Sequence, residues 1–339
     1  MTTSTRIKKS QPDEGSVYIA PELTGMAATF LQDDDEFVAP WFFPSVPVAQ
    51  KTGKFKSWKR AHFARSQMAP RGDGVRSNGA GFETEEKSFN CDVFGLHTKH
   101  GRQVRANAKK VDIDRASVEF LAEQAKLSME ISFIADFFKA GVWGDMTGVT
   151  GTPDETLGEY LTWGSASAYP LRDLKRALRV GKANGGKRFN KAIFSEKTWD
   201  IFSEHPNVVS KIVTGAPGAF AEVTLEGVAR YLRMSGGIRI AGSVKTTSEE
   251  GATDAYAVVA GDGVLLGHVT DSPMVMQPSA GYTYHWTDYL EGAANEFGAV
   301  VKSWYEVGPD AWFYEIGQAR DMASVHTGMG MFLASPLAA

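Results

Sequence analysis

The sequence has one cysteine, Cys91, in 339 residues. A single thiol excludes an internal disulfide framework and any zinc site built from several cysteines. No run of 18 uninterrupted apolar residues occurs, so no membrane-spanning helix is expected. The first 20 residues carry Lys8, Lys9, Asp13 and Glu14 and lack an apolar core, so no secretory signal is expected. No internal repeat of fixed period is found. Charge of one sign is also missing, with 36 Lys and Arg against 40 Asp and Glu and a formal net charge of −4. That balance argues against a protein held to nucleic acid by its overall charge. What is present is ordinary for a folded chain: 43% apolar and 22% charged residues. Disorder and collagen-like structure are excluded. The length predicts about two domains, enough to bury a core without a metal or disulfide staple. The expected setting is the inside of a cell, or release from one by lysis.

Residues 1–16 are small, polar and charged and read as a flexible arm. Residues 17–50 turn aromatic and proline-rich, with Phe37, Pro40, Trp41, Phe42, Phe43, Pro44 and Pro47. Three prolines in eight positions predict extended backbone. Such a segment must lie along another surface, of its own domain or of a neighbour. Residues 51–76 hold eight Lys or Arg (Lys51, Lys54, Lys56, Lys59, Arg60, Arg65, Arg71, Arg76) against one acid, Asp73, with Phe55, Trp58 and Phe63 interleaved. A glycine-rich stretch follows at 71–81, then an acidic run with Glu83, Glu85 and Glu86. Two strand-like arms around a glycine-rich tip predict a long β-hairpin. Opposite charges across its arms, or between one arm and a neighbouring subunit, would fix register.

The strongest helix is predicted over 114–139, capped by Asp114 and free of Pro and Gly until Gly141. It carries apolar lines on two faces, one through Phe120, Leu127 and Ile134 and one through Leu121, Met129 and Phe133, so burial on more than one side is expected. From 165 to 242 helices and strands alternate. Helices start at Pro170, after Ser195 and after Thr224, and strands lie at AIF (192–194) and IRIAGSV. A hairpin is predicted from AYAVVA through GDG to VLLGHV. Long strands close the chain from Tyr282.

Short motifs are weak. GKANGGKR (181–188) matches the start of a phosphate-binding loop, but Arg188 stands where Ser or Thr must hold magnesium, and a helix precedes it where a strand is required. GDGVLLG (261–267) is one residue off the dinucleotide fingerprint and lacks a following helix. Cys91 has His97 and His100 near in sequence but no catalytic arrangement. The seven histidines show no paired ligand spacing, and DDDE at 33–36 lacks the alternation of a calcium loop. No cofactor or metal is expected. The run at 172–191 has eight Lys or Arg against Asp173, and it reads first as the wet side of an amphipathic helix.

The order of these features resembles the major capsid protein of tailed bacteriophages, the Hong Kong 97-type fold, over nearly the whole chain. The segments that carry the resemblance are FFPSVPVAQKTGKFKSW (42–58), the two-faced helix, TWGSASAYPLRDLKRAL, KAIFSEKTWDIFSEHPNVVSKI, VTLEGVARYLRMSGGIRIAGSV and WFYEIGQARDMASVHTGMGMFLAS. The resemblance implies an α+β fold with four parts. These are an N-arm (1–50), an extended loop (51–100), a peripheral domain (101–164 and 275–339) with a spine helix, and an axial domain (165–274). It implies a structural protein without enzymatic activity that self-assembles as hexamers and pentamers of an icosahedral or prolate head. The shell would enclose double-stranded DNA without binding it specifically. It would be built in the host bacterial cytoplasm and end in the virion. A separate scaffolding protein, a portal protein and a decoration protein are the implied partners, beside copies of the chain itself. Intersubunit contacts are expected from Phe37, Trp41, Phe42, Phe43, Lys54, Trp58, Lys59, Arg60, Arg65, Arg71, Arg76, Glu83, Glu85 and Glu86. The alternatives are an encapsulin-like compartment shell and, from another class, a nucleotide-using α/β enzyme resting on the two glycine motifs.

Overall fold

The computed structural model describes residues 32–107, 112–212, 223–272, 277–289 and 299–337. The arm expected over 1–16 lies outside the described residues. Among the described residues a 3-10 turn at Asp34–Glu36 precedes the first α-helical turn, α1 (Ala39–Phe42), which has Pro40 in its first turn, where a missing N–H costs nothing. The extended strand expected from the prolines follows it as β1 (Ser45–Val48). Pro47 is tolerated there because β1 is an edge strand. A hairpin follows, made of β2 (Thr52–Trp58) and β3 (Thr84–Asn90), with a short helix α2 (Arg60–Ala64) between them. Next come β4 (Asp92–Gly101), α3 (Arg102–Asn107) and the long helix α4 (Ile113–Phe137).

Helix α4 has 25 residues, about 38 Å at 1.5 Å per residue. Its cap is Asp112, whose side chain accepts from Arg115 N at 3.1 Å. The expected cap, Asp114, instead accepts hydrogen bonds from Arg105 and from the Tyr314 hydroxyl, which ties the helix to the sheet below. Beyond it lie β5 (Gly144–Val149), β6 (Glu159–Leu161), α5 (Pro170–Gly185), β7 (Lys191–Ser195), α6 (Glu196–Glu204), α7 (Pro206–Ile212) and α8 (Leu225–Leu232). The predicted starts hold: Pro170 sits in the first turn of α5 and Thr224 Oγ1 accepts from Gly227 N at 3.1 Å to cap α8. The remaining strands are β8 (Gly237–Ala241), β9 (Val244–Thr246), β10 (Tyr256–Val258), β11 (Gly263–Gly267), β12 (Gly281–Trp286), β13 (Ala299–Glu306), β14 (Ala311–Ser324) and β15 (Gly330–Ala334).

Two sheets organise these elements. A six-stranded sheet runs in the order β6-β5-β15-β11-β7-β8, and a five-stranded sheet joins β1, β12, β14 and β13, with β4 also paired to β14. Both faces of the six-stranded sheet are buried. Phe194, Val264, Leu266 and Leu333 point into a core shared with α5, α6 and α8. Ile193, Leu265 and Phe332, from alternate positions, point into a second core under α1 and the C-terminal half of α4. Burial on both sides is why these strands read as unbroken apolar runs.

Two expectations are corrected here. The hairpin across GDG does not form: β10 pairs with β9, while β11 pairs with β7 and β15. The Asp-Gly signal is overridden because VLLG gains more by burial at the centre of the large sheet. The domain limits at 164/165 and 274/275 also cut through one sheet. β5, β6 and β15 lie in one sheet with β7, β8 and β11, on either side of those expected limits.

Candidate functional site

The register of the hairpin β2–β3 puts opposite charges together. Thr52 pairs with Asn90 and Trp58 with Thr84, which sets Lys56 against Glu86. Lys54 Nζ reaches Glu86 Oε2 at 3.1 Å and Lys59 Nζ reaches Glu83 Oε2 at 2.9 Å. The pairing raises the Lys59 pKa and lowers that of Glu83, in each case mainly through the shared hydrogen bond. The basic first arm and acidic second arm thus zip the hairpin within one chain. Both pairs are solvent-exposed, so they fix register more than they stabilise.

The base of the hairpin is held firmly. Phe89 stacks on Tyr284 with ring centroids 4.6 Å apart and Phe55 packs at 5.6 Å from the same ring. Ser57 Oγ and Lys87 Nζ donate to the carbonyls of Val325 and Ser324, at 3.3 and 3.2 Å. Asn90 N donates to Asp321 Oδ2 at 2.8 Å. Arg60 donates to the carbonyls of Ala183 and Asn184, at the C-terminal end of α5, where a cation complements the helix dipole. Cys91 is buried at this base, and desolvation, with Asp321 and Asp92 adding, pushes its thiol up to about 11. A thiol so protonated is no nucleophile at neutral pH.

Past Arg60 and Glu83 the hairpin turns out to solvent. Arg65, Arg71 and Arg76 are exposed, as is every residue from Met68 to Glu83, and Met68 is 97% exposed. Phe63 and Phe82 pack on each other, 5.7 Å between centroids, yet both stay more than half exposed. A rigid stalk therefore carries a basic tip with uncovered apolar groups. Glu85 is exposed on the stalk, and Trp58 closes β2.

The aromatic run before the hairpin sits elsewhere. Phe37, Phe42 and Phe43 are at most 1% exposed in the single chain. Phe43 lies 5.2 Å from Phe133 and 4.7 Å from Phe137, ring to ring, and Phe42 lies 5.8 Å from Phe133. Gly267 and Gly281 leave the room: a Cβ at either would stand 2.4 Å from the Phe42 or Phe43 ring. The expectation that these three phenylalanines contact a neighbouring subunit is therefore corrected, since they have no surface to offer one. Trp41 is half-buried, with Lys191 Nζ and Arg239 Cζ at 5.0 and 5.3 Å from its ring centre. Sequence alone missed Glu130, which holds this segment in place. Its buried carboxylate accepts from Ala39 N at 2.9 Å, and burial pushes its pKa up to about 7.

The second basic run is largely tied down as well. Arg172 pairs with Glu155 at 2.9 Å, and Arg176 donates to the carbonyls of Glu159 and Glu155 at 2.8 and 2.6 Å. At GKANGGKR the C-terminus of α5, with Gly186 left-handed at φ 82°, faces the loop, the wrong end of a helix to bind phosphate.

No protein-family model matches the chain, and no curated protein matches it. Solved structures do. A phage-related protein from Bordetella bronchiseptica RB50 is 19% identical, with a TM-score of 0.63 over 93% of this chain and 96% of that one. The capsid of a native GTA particle is 13% identical, with a TM-score of 0.55 over 97% and 99%. The mature capsid of bacteriophage PhiM1 is 11% identical, with a TM-score of 0.55 over 91% and 90%. The α+β architecture is thus the Hong Kong 97-type capsid fold.

Proposed function

We propose that this chain is a major capsid protein, the repeating subunit of a phage or phage-like icosahedral or prolate shell. The observation that carries the reading is the likeness of fold, over nearly the full length, to the capsids of the GTA particle and of PhiM1. The protein would then act by self-assembly, as hexamers and pentamers, with no catalytic step and no cofactor. Double-stranded DNA would be its enclosed cargo, and the virion its final location.

The hairpin supports the reading on physical grounds. An isolated monomer gains nothing from a braced stalk that presents Phe63, Phe82, Arg65, Arg71 and Arg76 to water. A neighbouring copy that covers the tip buries the apolar groups and pairs the cations. Such head-to-tail contacts close into rings, and rings tile a shell. A separate scaffolding protein, a portal and a decoration protein remain proposed partners of that shell.

The test is the triple variant R65E/R71E/R76E, compared with the wild type by size exclusion and negative-stain microscopy. The wild type is expected to form closed particles or capsomer rings. The variant should unfold within about 0.5 kcal/mol of the wild type, as exposed substitutions do, yet form no stable particle. Normal particles from the variant would remove the tip as a clamp. Wild-type subunits that never associate would remove the function.

A further inference from the structure

The first described contacts of the chain set the course of what precedes them. The Gln32 side chain grips the edge of β9 as a peptide group would. Its Nε2 donates to Val244 O at 3.0 Å, and its Oε1 accepts from Val244 N at 2.7 Å. Glu36 lies beside Gly242, with its Cγ 3.5 Å from where a Cβ there would stand. Asp35 pairs with Arg239 at 3.1 Å, and Trp41 packs on the same guanidinium. Residue numbers thus rise from 32 to 41 while their partners fall from 244 to 239. The segment runs antiparallel to the stretch from β8 to β9, and β8 is the last strand of the six-stranded sheet. Helix α4 reports the same advance on its own side. Asp34 pairs with Lys126, and Gln32 N donates to Glu123 Oε1 at 3.1 Å. About one turn earlier on α4 stands Phe120, 52% exposed.

That course leads to an open strand edge. Val259 N donates to Ser243 O, and Thr247 N donates to Ala255 O, both at 2.8 Å. In an antiparallel pair the bonded positions alternate, so Val244 and Thr246 turn their N–H and C=O away from β10. Gln32 takes both groups of Val244. Those of Thr246 meet no partner among the described residues. Thr246 is exposed, its cross-strand neighbour Tyr256 is 66% exposed, and Val258 on the same face is exposed too. An uncovered edge beside exposed apolar side chains is a template for one more strand.

We propose that residues 26–31 of the same chain add to this edge as a third strand, antiparallel to β9. The segment Met26, Ala27, Ala28, Thr29, Phe30, Leu31 has no proline and no charge and leads straight into Gln32. Alternation puts Met26, Ala28 and Phe30 on one face and Ala27, Thr29 and Leu31 on the other. Either set offers an apolar side chain to cover Tyr256 and Val258. A second copy of the chain competes poorly for the edge, because Gln32 holds this segment beside it at high effective concentration. The added strand would anchor the root of the N-terminal arm on β9 and β10 of its own subunit, a role separate from the contacts between subunits.

Amide hydrogen exchange of the full-length, unassembled subunit tests this, read by mass spectrometry over a dilution series, so the result does not depend on shell formation. Residues 26–31 should exchange at least about tenfold more slowly than the same sequence as a free peptide, as amides in a ladder do. Thr246→Pro removes the outward N–H and leaves the bonds of Ser243 and Thr247 to the partner strand. It should return residues 26–31 to within a few-fold of the free-peptide rate while β8 keeps its protection. Thr246→Val keeps the N–H and should keep the protection. If the proline also loosens β8, Gln32→Ala decides, since unhooking the segment should expose residues 26–31 as well. Free-peptide exchange of residues 26–31 in the wild type, or protection that survives both Thr246→Pro and Gln32→Ala, would overturn the proposal. Protection that vanishes on dilution would give the edge to a second copy and overturn it too.

Discussion

Phe89 lies flat on Tyr284, with ring centroids 4.6 Å apart and planes 14° from parallel. This one stack joins a strand of the projecting hairpin to the second strand of the five-stranded sheet. It makes the hairpin a braced lever instead of a loose flap. A double-mutant cycle of Phe89→Ala and Tyr284→Ala, followed by urea unfolding, should give a coupling of about 0.5–1.5 kcal/mol. Strictly additive losses would mean that the stack does not brace the hairpin.

Glu130 should give the subunit a characteristic pH dependence. Its folded pKa is raised, from 4.5 to about 7, by burial. The proton is therefore held more tightly in the folded chain, and this contribution is fully present below about pH 4.5 and lost as pH rises through 7. Glu130→Gln keeps an acceptor for Ala39 N and cannot ionise. The stability difference between the variant and the wild type should grow by about 2–4 kcal/mol in the variant's favour from pH 5 to pH 8. A difference that stays flat with pH would show that Glu130 is not held as described.

Trimming the N-terminus should show a sharp boundary. Removing residues 1–31 leaves every core contact described here. Extending the cut through Phe43 removes Phe42 and Phe43 from the core with α4. Each large-to-small loss of a buried phenylalanine costs about 3–5 kcal/mol, so the longer deletion should not fold. A longer deletion as stable as the shorter one would refute the placement of the aromatic run.

Arg172 and Arg176 serve the turn at 155–159, and duplex DNA should bind the subunit only non-specifically. At about 150 mM salt, fluorescence anisotropy should give a dissociation constant no tighter than roughly 10⁻⁴–10⁻⁶ M. Replacing Arg172, Arg176 and Arg179 by Ala should leave that value within a few-fold. Submicromolar binding that the triple variant abolishes would make the run a nucleic-acid site.

Much of this architecture is legible locally. The starts at Pro170 and Thr224 and the 3.6-residue stripes place α4, α5, α6 and α8, although the cap of α4 is Asp112 and not Asp114, and the charge reversal between two arms places the hairpin. What sequence hides is long-range. Phe42 and Phe43 look unpartnered because their partners, Phe133 and Phe137, lie some ninety residues on. GDG looks like a hairpin turn because the competing strands, β7 and β15, are distant in the chain. Glu130 is one acid among apolar helix residues, and only the packed fold shows the amide it meets. Arg320 and His285 become neighbours through strand register alone.

The most direct measurement is electron microscopy of the purified full-length chain, with its mass distribution in solution. The account predicts closed shells, or five- and six-membered rings, in which one copy's hairpin tip contacts the next copy. A single species of one-subunit mass that stays unassociated across the concentration range would contradict it.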